Sequence, residues 1–159
     1  MNSFMNCFTY NSPVGKMCIQ DDGTAVTAVF LSDIECSAEP SPLAEKACAQ
    51  LDEYFRGERK RFTIPVKPCG TAFQQDVWRK IQRIGYGKTV SYKDISESMG
   101  KPGACRAVGN ACGKNPVLII IPCHRVIGAS GSLTGYAVGT EIKKYLLDFE
   151  NNHKMDLPR

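Results

Sequence analysis

Three reactive side chains follow directly after an apolar run in the second half of the chain. Pro122 ends the run at 117–121, and Cys123, His124 and Arg125 come next. A thiol acts as a nucleophile in its thiolate form, which a cation favours and a nearby imidazole can generate by taking the proton. Burial raises the thiol pKa, so an active cysteine needs a base within reach. The pattern predicts either a nucleophilic Cys123 or an inert, buried cysteine at a strand end.

The segments around these residues predict how they are positioned. The β-branched run 117–121 predicts a buried strand or extended segment, which proline then ends. Upstream, helical patterns at 92–99 and about 104–112 are separated by a short glycine-containing break. This is the spacing of a helix-turn-helix, whose second helix usually contacts DNA. Arg106 in that helix either projects towards a partner or is an ordinary solvated arginine.

Charge is distributed unevenly along the chain. Residues 1–67 carry 7 basic and 9 acidic side chains, giving −2, whereas residues 68–159 carry 13 and 7, giving +6. Between 79 and 125, nine basic residues face only two acidic ones. A one-sided positive segment is typical of a protein with a polyanionic partner such as nucleic acid. The alternative is a solvated face whose counter-charges come from the other half of the chain.

The first 67 residues predict a supporting α/β unit without catalytic residues. Short apolar runs between turn clusters over 7–34 indicate an antiparallel hairpin or meander. A helix follows over 41–57, with a capping serine before proline at its start and glycine at its end. The stretch 62–66 predicts one more edge strand, and 67–70 predicts a linker.

The remainder of the chain predicts a mostly helical unit. Thr71 and Gln74 form a capping box at the start of its first helix, and Trp78 joins the apolar stripe of that helix as a core residue. A glycine-rich loop at 128–139 is a plausible pocket wall. The final helix is predicted over 140–150 and ends on the carboxylate of Glu150.

Composition excludes several classes of protein. No apolar run approaches the ~20 residues that span a bilayer, and the N-terminus has no basic region followed by an apolar stretch, so a signal peptide is not expected. The eight cysteines form no CxxC pair, and the chain has only two histidines, so a zinc site has no visible framework. We expect reduced thiols, most of them small core residues.

Taken together, the motifs of the second half resemble the O6-alkylguanine-DNA alkyltransferase family. The resemblance covers nearly all of 71–150, and it extends more weakly over the N-terminal half. The segments that carry it are Ser91-Tyr92, Gly100-Lys101-Pro102, Arg106-Ala107-Val108-Gly109, Asn115-Pro116, Pro122-Cys123-His124-Arg125-Val126-Ile127-Gly128, Gly135-Tyr136-Ala137, and Lys143 with Leu146-Leu147-Asp148-Phe149-Glu150.

The resemblance implies an α/β fold of two domains. A small N-terminal antiparallel-sheet-plus-helix domain, ribonuclease H-like, over 1–67 would pack on a mostly helical, winged-helix-like domain over 68–159 that contains the helix-turn-helix. It implies a monomer that acts on alkylated double-stranded DNA without a cofactor, metal or membrane. The expected location is cytoplasmic, or nuclear in a eukaryote.

The implied reaction is irreversible, single-turnover transfer of the alkyl group from O6-alkylguanine to Cys123. O6-methylguanine would be the main substrate, with O4-methylthymine a possible second one. His124 would deprotonate the thiol through a water molecule, and Glu150 would orient the imidazole. Asn115 would hold the turn around the site by hydrogen bonding. Tyr92 would help to rotate the nucleotide and donate a proton as the guanine leaves.

The resemblance also assigns residues to the DNA and to the base. The target must be flipped out of the duplex, and Arg106 would fill the gap from a helix that enters the minor groove. The residues implied in DNA binding are Arg106, Tyr92, Ala107, Asn110 and Lys114. The residues implied in the base pocket are Val126, Tyr136, Ala137, Val138 and Lys143.

Two departures from the family's pattern concern the loop over the base. Val138 replaces a residue that is usually small, so we expect normal methyl transfer but poor acceptance of benzyl groups. Ala137 lacks a hydroxyl that some members have. The structural zinc of some members is not expected, since no Cys/His cluster is visible in the N-terminal half. The competing hypotheses are a lesion-binding protein without transfer, a dimeric helix-turn-helix regulator and a cysteine hydrolase.

Overall fold

The structure, a computed structural model, describes residues 6–36, 39–133, 136 and 138–156. It divides into two compact units: Met1–Cys69 with Pro116–Leu118 and Asp156–Arg159, and Gly70–Asn115 with Ile119–Met155. The first contains an antiparallel sheet and a helix, and the second is mostly helical, so the predicted fold class is confirmed. The domain boundary at residues 67 and 68 stays a prediction, since compactness does not show which segments fold independently.

The sheet of the first unit consists of β1 (Asn6–Ser12), β2 (Gly15–Asp21) and β3 (Val26–Leu31), in that order and antiparallel. A tight turn joins β1 to β2, and Gly15 at its end has φ +131°, a conformation that L side chains rarely adopt. β2 lies in the centre of the sheet, and its Met17 and Ile19 are fully buried. The predicted meander is therefore observed.

Helix α1 (Pro42–Phe55) follows the sheet and begins and ends as its sequence predicts. The Ser41 hydroxyl accepts a hydrogen bond from the Ala44 amide at 3.0 Å, and Gly57 has φ +77° just beyond the helix. The predicted edge strand at 62–66 is wrong, because only Val66 bridges to β3. Proline 65 has no N–H to donate, so the pairing does not extend along this segment.

The cysteines of the first unit differ from the prediction that the thiols are reduced core residues. Cys7 on β1 and Cys36 beyond β3 are joined by a disulfide across a Cα–Cα distance of 6.1 Å. Cys69 is exposed, and Cys48 is only half-buried. Strand pairing brings distant cysteines together, which spacing along the sequence does not reveal.

The second unit contains α2 (Ala72–Ile81), α3 (Tyr92–Ser98), α4 (Cys105–Gly113) and α5 (Thr140–His153). The predicted capping box of α2 is present, and buried Trp78 donates from Nε1 to the Ala111 carbonyl of α4 at 3.0 Å. Gly100 has φ +71° in the break between α3 and α4, as a helix-turn-helix requires. None of the helices in the described ranges is long and apolar enough to cross a membrane.

A short parallel ladder connects the helix-turn-helix to the segment after Cys123. Strand β4 (Val90–Ser91) pairs with β5 (Val126–Ile127), so that Ser91 lies opposite Ile127. Ser91 also caps α3 by accepting from the Asp94 amide at 3.0 Å. The start of α3 is thereby fixed beside the chain that leaves Cys123.

The apolar run before Cys123 forms a turn, so the predicted strand or extended segment over 117–121 is wrong. Val117 makes one bridge to β3, and the backbone then turns through Ile119, which has φ +69°. This conformation costs a β-branched residue about 1–3 kcal/mol. Asn115 offsets the cost by donating from Nδ2 to the Ile121 carbonyl at 2.8 Å, which closes the turn. The run is apolar because the turn is buried, not because it pairs in a sheet.

Candidate active site

Cys123 begins a single 3-10 turn, Cys123–Arg125, immediately after Pro122. Its amide donates to the Ile121 carbonyl at 2.8 Å, the same oxygen that Asn115 holds. The side chain is 1% exposed. Burial raises the pKa of the Cys123 thiol well above its ordinary value, and the neighbouring Cys112 thiol adds to the rise. Asn115 and Lys143 act in the opposite direction without cancelling it, so the thiol is protonated near neutral pH.

His124 and Glu150 form a buried pair within hydrogen-bonding distance. Nε2 of His124 lies 2.7 Å from Oε2 of Glu150, although the residues are 26 positions apart. The two side chains are 0% and 1% exposed. Helix α5 brings Glu150 back to the turn at Cys123, which confirms the contact but leaves its catalytic role a prediction.

Arg125 holds the carboxylate of Glu150 from the other side. Its Nε donates to Oε1 at 2.8 Å and its Nη2 to Oε2 at 3.0 Å, in a bidentate pair. Its Nη1 donates to the Ile84 carbonyl at 2.7 Å. Burial pushes the pKa of Glu150 upwards, but the hydrogen bonds from His124 and Arg125 and the positive charge of Arg125 outweigh it and lower that pKa. Glu150 is therefore an anion at neutral pH.

The surroundings of His124 keep its imidazole neutral. Burial lowers the pKa of His124 below its ordinary 6.5; Glu150 opposes this shift, while Arg125 and Lys143 add to it. With Nε2 donating to the carboxylate, Nδ1 carries the lone pair. Nδ1 is buried and has no hydrogen-bond partner among the described residues. A neutral imidazole with a free acceptor nitrogen is suited to take a proton.

Lys143 is a buried cation that connects the two sides of the site. Its Nζ donates to the Val126 carbonyl at 2.6 Å and to the Tyr92 hydroxyl at 3.3 Å. It also lies 5.5 Å from the centre of the Tyr92 ring and 6.0 Å from that of Tyr136. Burial lowers the pKa of Lys143, whereas the thiols of Cys112 and Cys123 raise it. The predicted support of the loop by Lys143 agrees with its contact to Val126.

The two tyrosines nearest the thiol are both protonated at neutral pH. Burial raises the pKa of Tyr92 to about 12, and the Cys112 and Cys123 thiols contribute. Burial likewise raises the pKa of Tyr136, followed by the effects of Cys123 and Glu150. The Tyr136 hydroxyl is buried and lacks a hydrogen-bond partner within the described part of the chain. Both hydroxyls therefore have a proton to donate.

The other residues predicted for the base pocket differ in how deeply they are buried. Val126 is fully buried at the start of β5, and Val138 is half-buried in the turn before α5. Gly139, at the start of α5, has φ +96° and donates to the Tyr136 carbonyl at 3.2 Å. Ala137 lies outside the described residues, as do Thr134 and Gly135 before Tyr136.

Helix α4 has one buried face and one exposed face. Val108, Ala111 and Cys112 are buried against the unit. The exposed residues include all those of α4 and its C-terminal end that were assigned to DNA: Arg106, Ala107, Asn110 and Lys114. A Cβ added to Gly109 would lie 3.9 Å from the Tyr92 ring, so α4 passes close to the start of α3. Apart from its long basic and amide side chains, the exposed face of α4 projects little beyond the helix backbone.

Sequence reasoning missed two neighbours of the reacting groups. The sequence assigns Arg125 no contact with Glu150, but its side chain makes two of the hydrogen bonds that hold this carboxylate. The sequence likewise gives Cys112 no role at the site, but its thiol neighbours that of Cys123 and raises its pKa. The position of Arg125 next to His124 was the available signal for the first. Cys112 is 11 residues from Cys123, and no local motif connects them.

Two family models cover most of the chain. Residues 72–152 match the DNA-binding domain of 6-O-methylguanine DNA methyltransferase, and residues 5–68 match its ribonuclease-like domain. The methylated-DNA–protein-cysteine methyltransferase of Mycobacterium leprae is 43% identical over 93% of both chains. The constitutive enzyme of the same name in Bacillus subtilis is 42% identical over 92% of this chain and 96% of its own.

Solved structures agree with the sequence comparisons. The Mycobacterium tuberculosis O6-methylguanine methyltransferase superposes with a TM-score of 0.85 at 41% identity, covering 94% of each chain. The Mycobacterium tuberculosis OGT in complex with DNA superposes with a TM-score of 0.84 at 42% identity, covering 92% of this chain and 93% of that one.

Proposed function

The chain belongs to the 6-O-methylguanine DNA methyltransferase family, and we propose that it repairs O6-alkylguanine in double-stranded DNA by transferring the alkyl group to Cys123. The activity is that of a methylated-DNA–[protein]-cysteine S-methyltransferase. The observation that carries the proposal is the buried chain of Glu150 and His124 next to a buried Cys123. A nucleophile, a base and a group that orients the base are the parts of an activated nucleophile.

The transfer begins with the proton of the Cys123 thiol. It passes through a water molecule to Nδ1 of His124, since Nε2 is occupied by Glu150. The anionic carboxylate stabilises the imidazolium that forms, and Arg125 keeps that carboxylate ionised. The thiolate then attacks the alkyl carbon, and the carbon–oxygen bond breaks with its electron pair going to the guanine. The resulting thioether has no path back to a thiol, so each molecule reacts once.

The departing guanine requires a proton donor and a stable pocket. Tyr92 supplies the proton, because its raised pKa keeps it protonated until the guanine becomes basic. Lys143 lies 3.3 Å from that hydroxyl and stabilises the phenolate by its positive charge. The backbone at Val126 and the loop of Tyr136, Ala137 and Val138 hold the guanine edge.

Helix α4 delivers the damaged nucleotide from the DNA. Arg106 enters the base stack, while Ala107, Asn110 and Lys114 contact the minor groove and its phosphates. A helix face with small side chains and one long arginine can fit into the narrow minor groove. Unstacking the target base costs a few kcal/mol, less for a base that pairs badly, which favours alkylated guanine. The DNA complex of the Mycobacterium tuberculosis relative supports DNA as the partner.

We further propose the substrates, the oligomeric state and the cellular location of the protein. O6-methylguanine is the main substrate, and O4-methylthymine is a second one that the same displacement chemistry would serve. The protein acts as a monomer, because one helix-turn-helix and one thiol suffice for one lesion. The protein acts in the cytoplasm, or in the nucleus if the source is a eukaryote.

A labelling experiment tests the transfer. The protein is incubated with duplex DNA that carries O6-[³H-methyl]guanine, and label on protein and on DNA is counted with time. We expect transfer to stop at one label per protein molecule, on Cys123. Cys123→Ala should bind the duplex but accept no label, whereas the matched variant Cys112→Ala, which removes the buried thiol next to Cys123, should still accept one. Label that stays on DNA, or repeated turnover, would favour the lesion binder or the hydrolase.

A second comparison tests the delivery of the base. Arg106→Ala should slow repair of duplex DNA more than attack on free O6-methylguanine, because only the duplex requires flipping. Arg56→Ala is the control, since it removes an exposed arginine from the first unit with the same change of net charge. Equal losses on duplex and free base, or sequence-specific binding by a dimer, would contradict the role of α4.

A further inference from the structure

A second group of cysteines lies far along the sequence from Cys123, on one face of the sheet in the first unit. The Sγ atoms of Cys7, Cys18 and Cys36 all lie within 4.8 Å of one another. We propose that, once the Cys7–Cys36 disulfide is reduced, these three thiolates bind one thiophilic d10 metal ion, Cu⁺ or Zn²⁺. The structure thus brings together three cysteines of the N-terminal half that the sequence does not show as a cluster.

The sheet register explains why the three thiols meet. Thr9 on β1 pairs directly with Cys18 on β2, so their side chains share a face. Cys7 precedes Thr9 by two residues and therefore lies on that face as well. The Cys36 amide donates to the Thr9 hydroxyl at 2.7 Å, which holds the chain after β3 over the same spot. Sγ of Cys18 and Sγ of Cys36 are 3.5 Å apart.

These distances suit a shared ion. A metal bound at about 2.3 Å from each of three sulfurs requires sulfur–sulfur separations of about 3.8–4.0 Å. The Cys18–Cys36 separation of 3.5 Å is already close to this range. Cys7 and Cys36 move apart when their bond is broken, and the Cα–Cα distance of 6.1 Å permits side-chain rotation without a shift of the strands.

The donor set selects the class of ion. Thiolate sulfur prefers Cu⁺ and Zn²⁺ to the oxygen-seeking Mg²⁺ or Ca²⁺. Cys18 is 3% exposed and lies at the buried side of the cluster. Cys7 and Cys36 are half-buried, so the opposite side of the cluster is open to solvent. Three sulfurs complete a trigonal Cu⁺ site, whereas Zn²⁺ would add water at the open side as its fourth ligand.

Formation of the site includes a redox step. A dithiol reductant supplies two electrons and two protons, which convert the Cys7–Cys36 disulfide to two thiols while the reductant becomes a disulfide. Binding of the ion then releases the three thiol protons, because the thiolate is the ligand. None of these three cysteines takes part in the alkyl transfer proposed for Cys123, so the two proposals stand or fall separately.

Native mass spectrometry of the full chain tests the site. The protein is reduced with a phosphine, freed of metal and titrated in separate arms with Cu⁺ and with Zn²⁺. We expect one ion per chain in at least one arm, at least tenfold weaker binding for Cys18→Ala and for Cys36→Ala, and unchanged binding for Cys69→Ser, which removes an exposed thiol of the same unit. Cys123→Ala should also bind normally.

The outcomes separate the site from unspecific thiol binding. Equal affinity in Cys18→Ala, Cys36→Ala and Cys69→Ser would overturn the proposal, as would the absence of a bound ion in both arms. Equal binding by protein that retains the Cys7–Cys36 disulfide would also overturn it, since only one thiol of the cluster is then free. If Cys18→Ala fails to fold, the half-buried Cys36→Ala decides. Methyl transfer by the Cys18→Ala, Cys36→Ala and Cys69→Ser variants reports folding independently of the metal.

Discussion

Replacing Glu150 by glutamine tests how the imidazole is set up for proton transfer. The substitution keeps the shape of the side chain and removes the negative charge that lies against both His124 and Arg125. A glutamine amide can donate to Nε2 of His124, which places the imidazole proton on Nδ1 and blocks that nitrogen as an acceptor. The corresponding change in a Ser-His-Asp triad lowers kcat by about 10⁴. We therefore expect the single-turnover rate constant to fall by about 10³–10⁴.

The same substitution has a cost in stability. Arg125 is 6% exposed and would keep its charge without a counter-ion. Breaking a buried pair in this way costs about 3–5 kcal/mol. We expect about 3 kcal/mol, since the glutamine oxygen still accepts from Arg125 and the Ile84 carbonyl still accepts from its Nη1. For a chain of this length, that corresponds to a fall in Tm of about 6–12 °C.

The pH dependence of stability gives the charge effect a separate signature. The folded pKa of Glu150 is lowered, so its contribution is fully present above the unfolded value of about 4.3 and is lost as pH falls through the folded pKa. Wild-type protein should therefore lose more stability than Glu150→Gln between about pH 5 and pH 2.

The assays are methyl transfer with protein in excess over methylated duplex, and thermal unfolding followed by circular dichroism. Glu141→Gln is the matched control, because Glu141 is exposed on the first turn of the same helix. It should transfer at the wild-type rate. A wild-type rate in Glu150→Gln at a temperature where the variant is folded would refute the assignment of His124 as the base. An equal loss of stability on acidification in wild-type protein and in Glu150→Gln would refute the buried ion pair.

Three further substitutions test other parts of the site. Asn115→Ala should lower stability by about 1–2 kcal/mol in urea unfolding, because the Ile121 carbonyl loses one of its two donors; exposed Asn110→Ala should have little effect, and equal losses would argue against the turn. Tyr92→Phe should slow methyl transfer by about 10²-fold at unchanged Tm, and an unchanged rate would exclude its hydroxyl as the proton donor. Val138→Gly should raise benzyl transfer by about tenfold and leave methyl transfer unchanged; if wild-type protein already transfers benzyl as fast as methyl, the valine does not limit the pocket.

Local signals were sufficient for the helix starts. Ser41 and Thr71 each cap a helix as predicted, because a capping side chain bonds to an amide only three residues away. Ser91 caps α3 in the same way. The sorting of α4 into a buried and an exposed face also follows from spacing alone. The contact between His124 and Glu150 was expected only from the family resemblance, since no local rule connects residues 26 positions apart.

Other features had no local signal. The apolar run ending at Ile121 has the composition of a strand, and the left-handed backbone at Ile119 depends on the Asn115 hydrogen bond and on burial. Cys7, Cys18 and Cys36 are 11 and 18 residues apart, and the register of the sheet together with the hydrogen bond from Cys36 to Thr9 brings them together. Periodicity and composition describe single segments, whereas these features arise where separate segments meet.

The parallel ladder of β4 and β5 has a consequence for how this site tolerates sequence change. The ladder is made by backbone groups, so substitutions at Val90 or Ile127 that keep the extended backbone preserve its hydrogen bonds. The spacing between Tyr92 and Val126 is thus inherited from the main chain and not from particular side chains. Substitutions at Val90 and Ile127 should therefore leave the separation between the proposed proton donor and the proposed wall of the base pocket unchanged.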